Sequence, residues 1–337
     1  MRRHVARNES RASLRVVGLC LSLLAGVHAG VWGQTLATPL PSTDESRLRA
    51  PVVGDADSVY HTHETLINVQ FSQVQLSQWA AGGQSSASLI AKLDQFWEYD
   101  GTDLGWDTEF HGAFGMLHRP DENIVLKTDD RIELATKLGY RMKDKGSLTA
   151  LASFRTQIAP GFAAVNGVPN PDQVVSKFMA PGYLVMALGV DVKPTPTTTV
   201  FLAPFTSKST YVLDPDLSAA GTFGVPAGET SRHEVGGYVR LGLKEQVTEN
   251  VTYAVRLDLF SNYLEEPEAV DVFSDHVLTL KVNNWLSTTL GLTLIYDKDV
   301  DLVLREPDPD VPGDAGEVGP GVQLKQILAV GLSLKFS

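Results

Sequence analysis

Cysteine is almost absent from this 337-residue sequence, since Cys20 is the only one. A single thiol excludes an intramolecular disulfide framework and a cysteine-based zinc site. Positive charge is also scarce, because 28 basic residues face 40 acidic residues and the formal net charge is -12. This balance argues against a nucleic-acid binder, which needs a basic face for the phosphates.

Long apolar runs are missing as well. The apolar run at 16–26 is shorter than the roughly 20 residues of a transmembrane helix. Arginines precede it and small or modest residues follow it, an order that predicts a cleaved secretory signal peptide over 1–29. Cleavage removes five bases and one acid, and leaves 23 bases against 39 acids, with no cysteine.

Common catalytic motifs are missing too. No glycine-rich phosphate loop follows a strand pattern, and no G-x-S-x-G nucleophile elbow occurs. We therefore predict that the protein is not an enzyme and that it needs no cofactor.

The regular feature of the sequence is an alternation of apolar and polar residues from about residue 64 to the C-terminus. In one segment Leu89, Leu93 and Trp97 share a face, while Lys92 and Asp94 share the other, which is the period of a β-strand. The pattern predicts twelve strands, near 64–78, 86–99, 104–117, 131–142, 147–158, 182–192, 198–211, 234–244, 250–264, 271–282, 285–297 and 323–336. A phase change in the first strand predicts a bulge near Ser72-Gln73.

The predicted connections alternate in length. Short ones fall at 100–103, 143–146, 193–197, 245–249 and 283–284, and longer ones at 79–85, 118–130, 159–181, 212–233, 265–270 and 298–322. Outer-membrane barrels have short periplasmic turns, longer extracellular loops and an even strand number. We therefore predict an all-β, closed, up-and-down antiparallel transmembrane barrel over 64–337, preceded by a flexible periplasmic tail at 30–63.

The outward face of this barrel is predicted to be the apolar one. Most apolar faces carry no charged residue, and the polar faces are rich in glycine, which is unfavourable on a solvated sheet surface. Aromatic residues cluster near the short turns, as in an interfacial girdle: Trp97, Tyr99, Trp106, Tyr140, Tyr253, Trp285 and Phe336. A soluble secreted all-β binding protein, with the apolar faces inward, is the alternative.

Several segments resemble a Gram-negative outer-membrane barrel family that is catalogued only as a domain of unknown function. They are Phe71-Ser72-Gln73-Val74, Leu76-Ser77-Gln78-Trp79-Ala80-Ala81-Gly82-Gly83, Phe201-Leu202-Ala203-Pro204, the stretch 257–264, Asn284-Trp285-Leu286 and Leu294-Ile295-Tyr296-Asp297. The resemblance covers about 64–337 and implies an outer-membrane β-barrel without catalytic residues.

The C-terminal alternation ends at Phe336 and resembles the assembly signal of outer-membrane barrels, although Ser337 follows it. We expect outer-membrane lipid and lipopolysaccharide around the barrel, and the barrel-assembly machinery as a partner during insertion. We expect no nucleic acid, and the sequence names no solute.

The predicted lumen carries charges of both signs. The lumen-facing candidates are Lys92, Asp94, Asp107, Glu109, His111, Arg131, Glu133, Lys137, Arg141, Arg155, Arg240, Arg256 and Asp258. They indicate either a polar pore with a solute site or a salt-bridge network that fills the barrel. Twelve strands lie between the filled eight-stranded and the open sixteen-stranded barrels, so a narrow channel, a transport pore and a structural envelope component all stay open.

Three other clusters have simpler interpretations. His61 and His63 make at most a weak metal site on the tail, and His111 is expected to be an ordinary paired lumenal histidine. The acidic segment 297–317 is expected to be a solvated loop, because Leu302 stands where a calcium-binding loop needs glycine.

A barrel hydrolase is the remaining alternative. Twelve-stranded outer-membrane phospholipases use serine, histidine and asparagine on the barrel wall, but no His-x-Ser-Asn segment occurs here. Ser274 and His276 nevertheless share the predicted lipid-facing side of the tenth strand.

Overall fold

The computed structural model describes residues 60–75, 85–120, 123–142, 146–165, 168–305 and 316–336. The signal peptide at 1–29 and the tail up to residue 59 lie outside these residues and stay predictions. The described residues form fourteen β-strands and one short α-helix. No helix among them has the length and apolarity needed to cross a membrane.

Twelve of these strands form one closed, antiparallel barrel. The elements are β1 (Tyr60–Val74), β2 (Ser86–Asp100), β3 (Leu104–Arg119), β4 (Ile124–Arg141), β5 (Gly146–Thr156), β6 (Gly161–Val165), β7 (Val168–Ser176), β8 (Gly182–Thr195), β9 (Thr198–Tyr211), α1 (Pro215–Ala220), β10 (Ser231–Thr248), β11 (Val251–Asn262), β12 (Val270–Lys281), β13 (Leu286–Arg305) and β14 (Glu317–Phe336). The ring order is β1-β14-β13-β12-β11-β10-β9-β8-β5-β4-β3-β2, and β6 and β7 form a separate two-stranded hairpin. The predicted closed up-and-down barrel is confirmed.

The barrel closes where β1 pairs with β14, with Thr65 opposite Phe336 and Phe71 opposite Val330. Closure matters physically because an unpaired strand edge in hydrocarbon leaves backbone N–H and C=O groups without partners. Because β1 pairs with the C-terminal end of β14, the alternation of apolar and polar residues in β14 continues to Phe336.

The two ends of the barrel differ in the length of their connections. At the end that we call the turn end, the strands are joined by 101–103, 142–145, 196–197, 249–250 and 282–285. At the opposite loop end, the connections are 75–85, 120–123, 157–181, 212–230, 263–269 and 306–316. Both Tyr60 and Phe336 lie at the turn end, as expected for an even number of strands.

Several predicted strand boundaries are wrong, among them the end of β13 at Arg305 and the start of β14 at Glu317, which shorten the predicted loop 298–322 to 306–316. Strand β1 begins at Tyr60, so the last residues of the predicted tail at 30–63 are part of the sheet, and its pairing with β2 runs without a bulge through Ser72 and Gln73. Strand β4 begins at Ile124, which shortens the predicted loop 118–130 to four residues. The polar start of β4 is hidden in the sequence, because a register shift opposite Gly115 and Met116 interrupts its alternation there.

The two longest loop-end connections contain structure that the sequence pattern did not predict. The connection 157–181 contains the hairpin β6–β7, and 212–230 contains α1. Asp214 caps α1 by accepting hydrogen bonds from the backbone N–H groups of Asp216 and Leu217, each at 3.2 Å. A small apolar cluster joins the two connections: Ala180, Val212, Leu217, Phe223 and Val225.

The distribution of burial across the barrel wall is inverted relative to a soluble protein. Outward-facing Leu188 and Leu328 are 57% and 69% exposed, whereas inward-facing Lys137 is 1% exposed. Apolar side chains on the outside and charges on the inside fit a barrel surrounded by lipid. The soluble alternative with its apolar faces inward is therefore contradicted, and the chain is a transmembrane β-barrel.

Exposed aromatic side chains mark the turn end. Trp106, Tyr140 and Trp285 are each 55% exposed on the outer wall. His61 and His63 join this girdle, because their rings lie 4.8 Å from Tyr99 and 5.4 Å from Trp97, centroid to centroid. The two histidines thus pack against aromatic side chains of β2 instead of lying on a tail.

Candidate functional site in the lumen

The lumenal wall holds the charged residues that the sequence singled out. The strand registers place all thirteen on the inner face: Lys92 and Asp94 on β2; Asp107, Glu109 and His111 on β3; Arg131, Glu133, Lys137 and Arg141 on β4; Arg155 on β5; Arg240 on β10; Arg256 and Asp258 on β11. All but Arg141 and Arg155 are buried. Their burial inside a closed barrel makes ion pairing necessary.

One row of these residues alternates in charge across four strands. Asp94, His111, Glu133 and Arg155 lie directly opposite one another along β2, β3, β4 and β5. The His111 ring contacts two carboxylates, with Nδ1 2.8 Å from Asp94 Oδ1 and Nε2 3.2 Å from Glu109 Oε2. Opposite charges on facing strands stabilise this register of the sheet.

A second set of ion pairs crosses the lumen. Arg256 Nη1 on β11 lies 3.5 Å from Glu133 Oε1 on β4, and these strands are five steps apart in a ring of twelve. The same guanidinium donates from Nε and Nη2 to Asp258 Oδ2, at 2.9 and 2.7 Å. The barrel is therefore bridged from wall to wall.

The bridge continues along β10. Arg240 donates from Nε and Nη2 to the two oxygens of Asp258, at 2.9 and 3.0 Å, and its Nε also lies 2.8 Å from the Tyr238 hydroxyl. Bidentate pairing of this kind fixes both the position and the orientation of the guanidinium. We call Glu133, Arg256, Asp258, Arg240 and Tyr238 the waist network.

The space beside the waist network is filled partly by apolar side chains. Leu151, Ala187, Phe201, Ala203, Tyr238 and Phe260 form a buried cluster inside the barrel. Lys137 pairs with Asp191, and its ammonium lies 5.3 Å from the centroid of the Phe201 ring. The sequence pattern missed this cluster, because the alternation along one strand does not show which inward side chains of different strands pack together.

Nearer the loop end, two lysines make further ion pairs, and the pair of Lys208 with Glu234 joins the neighbouring strands β9 and β10. Lys325 on β14 lies 3.5 Å from Asp129 on β4. Lys208 on β9 contacts Asp271 at 2.6 Å, Asp297 at 3.2 Å and Glu234 at 3.5 Å. These contacts narrow the lumen above the waist network.

The hairpin connection 157–181 is fastened to β4. The Asp130 carboxylate accepts hydrogen bonds from the backbone N–H groups of Ile158 and Ala159, both at 2.8 Å. Lys127 donates to Asp130 at 2.8 Å and to the Ala159 carbonyl at 2.8 Å. We call connections 157–181 and 212–230 together the cap.

Within the cap, Lys177 donates to Asp214 Oδ2 at 2.5 Å. This hydrogen bond holds the pKa of the Asp214 carboxyl below its usual value. The pair thus links the hairpin connection to the N-terminus of α1.

Arg232 ties the loop-end connections together. Its Nη2 lies 2.9 Å from Glu265 and 2.8 Å from Asp299, and its Nη1 donates to the Gly224 carbonyl at 3.3 Å. In the described part of the acidic segment 297–317, Asp297 and Asp299 are therefore paired rather than solvated, contrary to expectation. Residues 306–315 of this segment lie outside the described residues.

The outer wall contains a hydrogen-bonded polar trio. Ser274 Oγ lies 2.9 Å from His276 Nε2, and the Tyr253 hydroxyl lies 2.8 Å from His276 Nδ1. Ser274 and Tyr253 are buried by their neighbours, and Ser274 is the fifth of the twelve residues of β12. A tilted strand of this length spans about 25–30 Å, so the serine lies in the hydrocarbon layer, away from ester groups and water.

The side chains of Ser274, His276 and Tyr253 satisfy one another's hydrogen bonds, which is the requirement for polar groups in hydrocarbon.

No group of three or more histidine, cysteine, aspartate or glutamate side chains in the described part of the chain is placed to hold a metal ion.

Comparison with known proteins gives one family match. The family described as "Protein of unknown function (DUF3078)" matches residues 71–162. The predicted resemblance to a family of unknown function is thus confirmed over this range, which includes the segment 79–83, itself outside the described residues. No curated protein sequence matches the chain.

Several solved structures are similar to the chain. An outer membrane channel from Pseudomonas putida F1 has 14% identity, with 81% of this chain and 95% of that chain covered and a TM-score of 0.37. The translocator domain of the autotransporter NalP from Neisseria meningitidis has 11% identity, 98% coverage of both chains and a TM-score of 0.32. The porin NanC has 7% identity, with 80% and 100% covered and a TM-score of 0.36.

Proposed function

We propose that this protein is an integral outer-membrane barrel that acts as a narrow channel, closed in this conformation at its waist. The observation that carries the proposal is the contact of Glu133 with Arg256 across the lumen. A barrel that served only as a wall could fill this space with apolar side chains, which often stabilise a buried site as well as an ion pair does.

The outer surface supports the membrane location. Outward leucines are exposed along the strands, and exposed aromatic side chains collect at the turn end. We propose that the turn end faces the periplasm and the loop end faces the exterior, as in other outer-membrane barrels. Outer-membrane lipid and lipopolysaccharide would surround this wall, and the barrel-assembly machinery would insert it.

The chemistry of the waist suits a gate. Arg256 reaches Glu133 with Nη1, while its Nε and Nη2 are bonded to Asp258. Separation of Arg256 from Glu133 leaves the guanidinium paired with Asp258, while His111 and Arg155 on the facing strands stay beside the Glu133 carboxylate. A small side-chain movement can open this contact without disturbing the β-ladder.

Ion conduction tests the proposal. The purified full-length protein, folded in detergent and reconstituted into planar bilayers, is expected to give small stepwise conductances. A folded barrel, verified by heat-modifiable gel migration, that gives no steps at any applied voltage would contradict the channel. The barrel would then remain a structural component of the envelope.

The proposed function is non-enzymatic. In the described part of the outer wall, the hydrogen-bonded pair of Ser274 and His276 resembles part of a hydrolase site. Its depth in the hydrocarbon layer and the burial of the serine argue against ester hydrolysis there.

A further inference from the structure

A small cavity lies in the lumen between the waist network and the loop end. Its volume is about 120 Å³, and charged residues of the lumen border it. Its aromatic lining residues are Tyr183, Tyr238, Phe260, Phe273 and Tyr296. A cavity with both an aromatic wall and charged groups offers contacts for a small organic solute.

Arg155 is the unusual charged group of this cavity. Its guanidinium carbon lies 5.3 Å from the centroid of Tyr183 and 5.7 Å from that of Phe273, which stands five strands away around the ring. Among the described residues, its buried Nε has no hydrogen-bond partner, and its guanidinium makes no ion pair. Two rings thus lie near the guanidinium, while its hydrogen-bonding requirement is incompletely met.

The other charged groups of the lining are paired. Lys208 contacts both Asp271 and Asp297, and Asp258 is held by Arg240 and Arg256. The acids of the cavity therefore have cationic partners already, whereas Arg155 faces Glu133 on the neighbouring strand and its Nε has no hydrogen-bond partner among the described residues. The Arg155 guanidinium is therefore the group of this cavity that an anionic ligand can bind.

We propose that this cavity binds a small organic anion, with a carboxylate on Arg155 and a flat apolar body against the aromatic rings. A guanidinium offers a planar fork of N–H donors that matches a carboxylate with two parallel hydrogen bonds. Since a cavity of about 150 Å³ is enough for benzene, the cavity volume of about 120 Å³ limits the ligand to about one ring. This inference adds a ligand class to the proposed channel and rests on the same barrel.

Three probes of similar size, each with one phenyl ring and one polar group, test the ligand class on the full-length protein in detergent micelles: benzoate, benzylamine and benzyl alcohol. Ligand-observed NMR titration should show benzoate bound most tightly, because only benzoate supplies the missing negative charge. Equal or tighter binding of benzylamine or benzyl alcohol would overturn the proposal.

Substitution of the arginine tests the contact itself. R155Q should weaken benzoate binding by about tenfold or more, because the charge-assisted hydrogen bonds are lost. R155K keeps the charge but not the fork, so it should bind benzoate with intermediate affinity, and it carries the test if R155Q does not fold. R232Q is the matched control, since Arg232 lies outside the cavity lining; it should bind benzoate like the wild type.

Failure of this proposal can be told apart from failure of the channel. Equilibrium binding needs no ion flow, so a barrel that binds benzoate but never conducts keeps the cavity and contradicts the channel. A conducting barrel in which R155Q and R155K bind benzoate as the wild type does contradicts the cavity proposal alone.

Discussion

The Glu133 carboxylate on β4 meets the Arg256 guanidinium on β11 across the lumen, with Oε1 3.5 Å from Nη1. These residues are 123 positions apart in the sequence and five strands apart around the ring. Their contact joins opposite sides of the barrel wall across the lumen.

Charge on the outer wall should destabilise the barrel. Leu188 lies in the middle of β8 and is 57% exposed. Leu188→Arg is expected to lower the free energy of unfolding in lipid vesicles by about 2–4 kcal/mol, because a charge then enters hydrocarbon. Leu264→Arg, at an 81% exposed loop position, is the control and should change little. Equal, small effects on urea unfolding at both positions would mean that Leu188 does not face lipid.

Substitution of Asp258, which both Arg240 and Arg256 contact, should lower the free energy of unfolding more than substitution of Glu133, which Arg256 contacts across the lumen. Asp258→Asn leaves both Arg240 and Arg256 without their main partner, so we expect a loss of about 3–5 kcal/mol in the free energy of unfolding. Glu133→Gln should cost clearly less, because Arg256 keeps its bonds to Asp258. Equal losses in the free energy of unfolding for the two variants, measured by the same urea unfolding, would contradict the larger contribution of Asp258.

The cap should weaken at low pH. The folded-state pKa of Asp214 is depressed by the hydrogen bond from Lys177, so its stabilising effect is complete above the unfolded pKa of about 3.9. The effect is lost as the pH falls through the lower folded pKa. Amide hydrogen exchange at Leu217 and Ser218, corrected for intrinsic rates, should be faster in Asp214→Asn than in the wild type at pH 6.

The same exchange difference should shrink at pH values below the folded pKa of Asp214, where the wild-type carboxyl is protonated as well. Asparagine is a good N-cap residue, so Asp214→Asn preserves the capping of α1 and reports mainly on the pair with Lys177. A difference that stays constant over the whole pH range would contradict the role of this pair.

The outer-wall trio should be structural. Ser274→Ala leaves His276 Nε2 without its partner and is expected to destabilise the barrel by about 1–3 kcal/mol. Vesicles with labelled phospholipid should release no lysophospholipid, with or without calcium. Release by the wild type that disappears in Ser274→Ala would identify a hydrolase instead.

The period-two alternation was sufficient to predict the twelve barrel strands and the inward side of the thirteen charged candidates. It could not predict contacts across the lumen, because the register of neighbouring strands does not say how far Glu133 and Arg256 reach. For the same reason, the incompletely satisfied guanidinium of Arg155 is visible only in the folded barrel.

Strand ends were less predictable than strand faces. The start of β1 looked like a polar tail, since the packing of His61 on Tyr99 becomes apparent only when β2 lies beside it. Polar Lys127 and Asp130 hid the start of β4, because they fasten the cap instead of following the alternation. The hairpin β6–β7 is short and lacks a clear alternating face, so the pattern gave no signal for it.

Single-channel recording of Glu133→Gln tests the central claim most directly. Glu266→Gln is the matched control, because Glu266 pairs with Lys298 in an exposed connection far from the waist. The account predicts a larger or more frequent open conductance for Glu133→Gln than for the wild type, and no change for Glu266→Gln. Identical recordings from all three folded proteins would contradict a waist gated by the pair of Glu133 and Arg256.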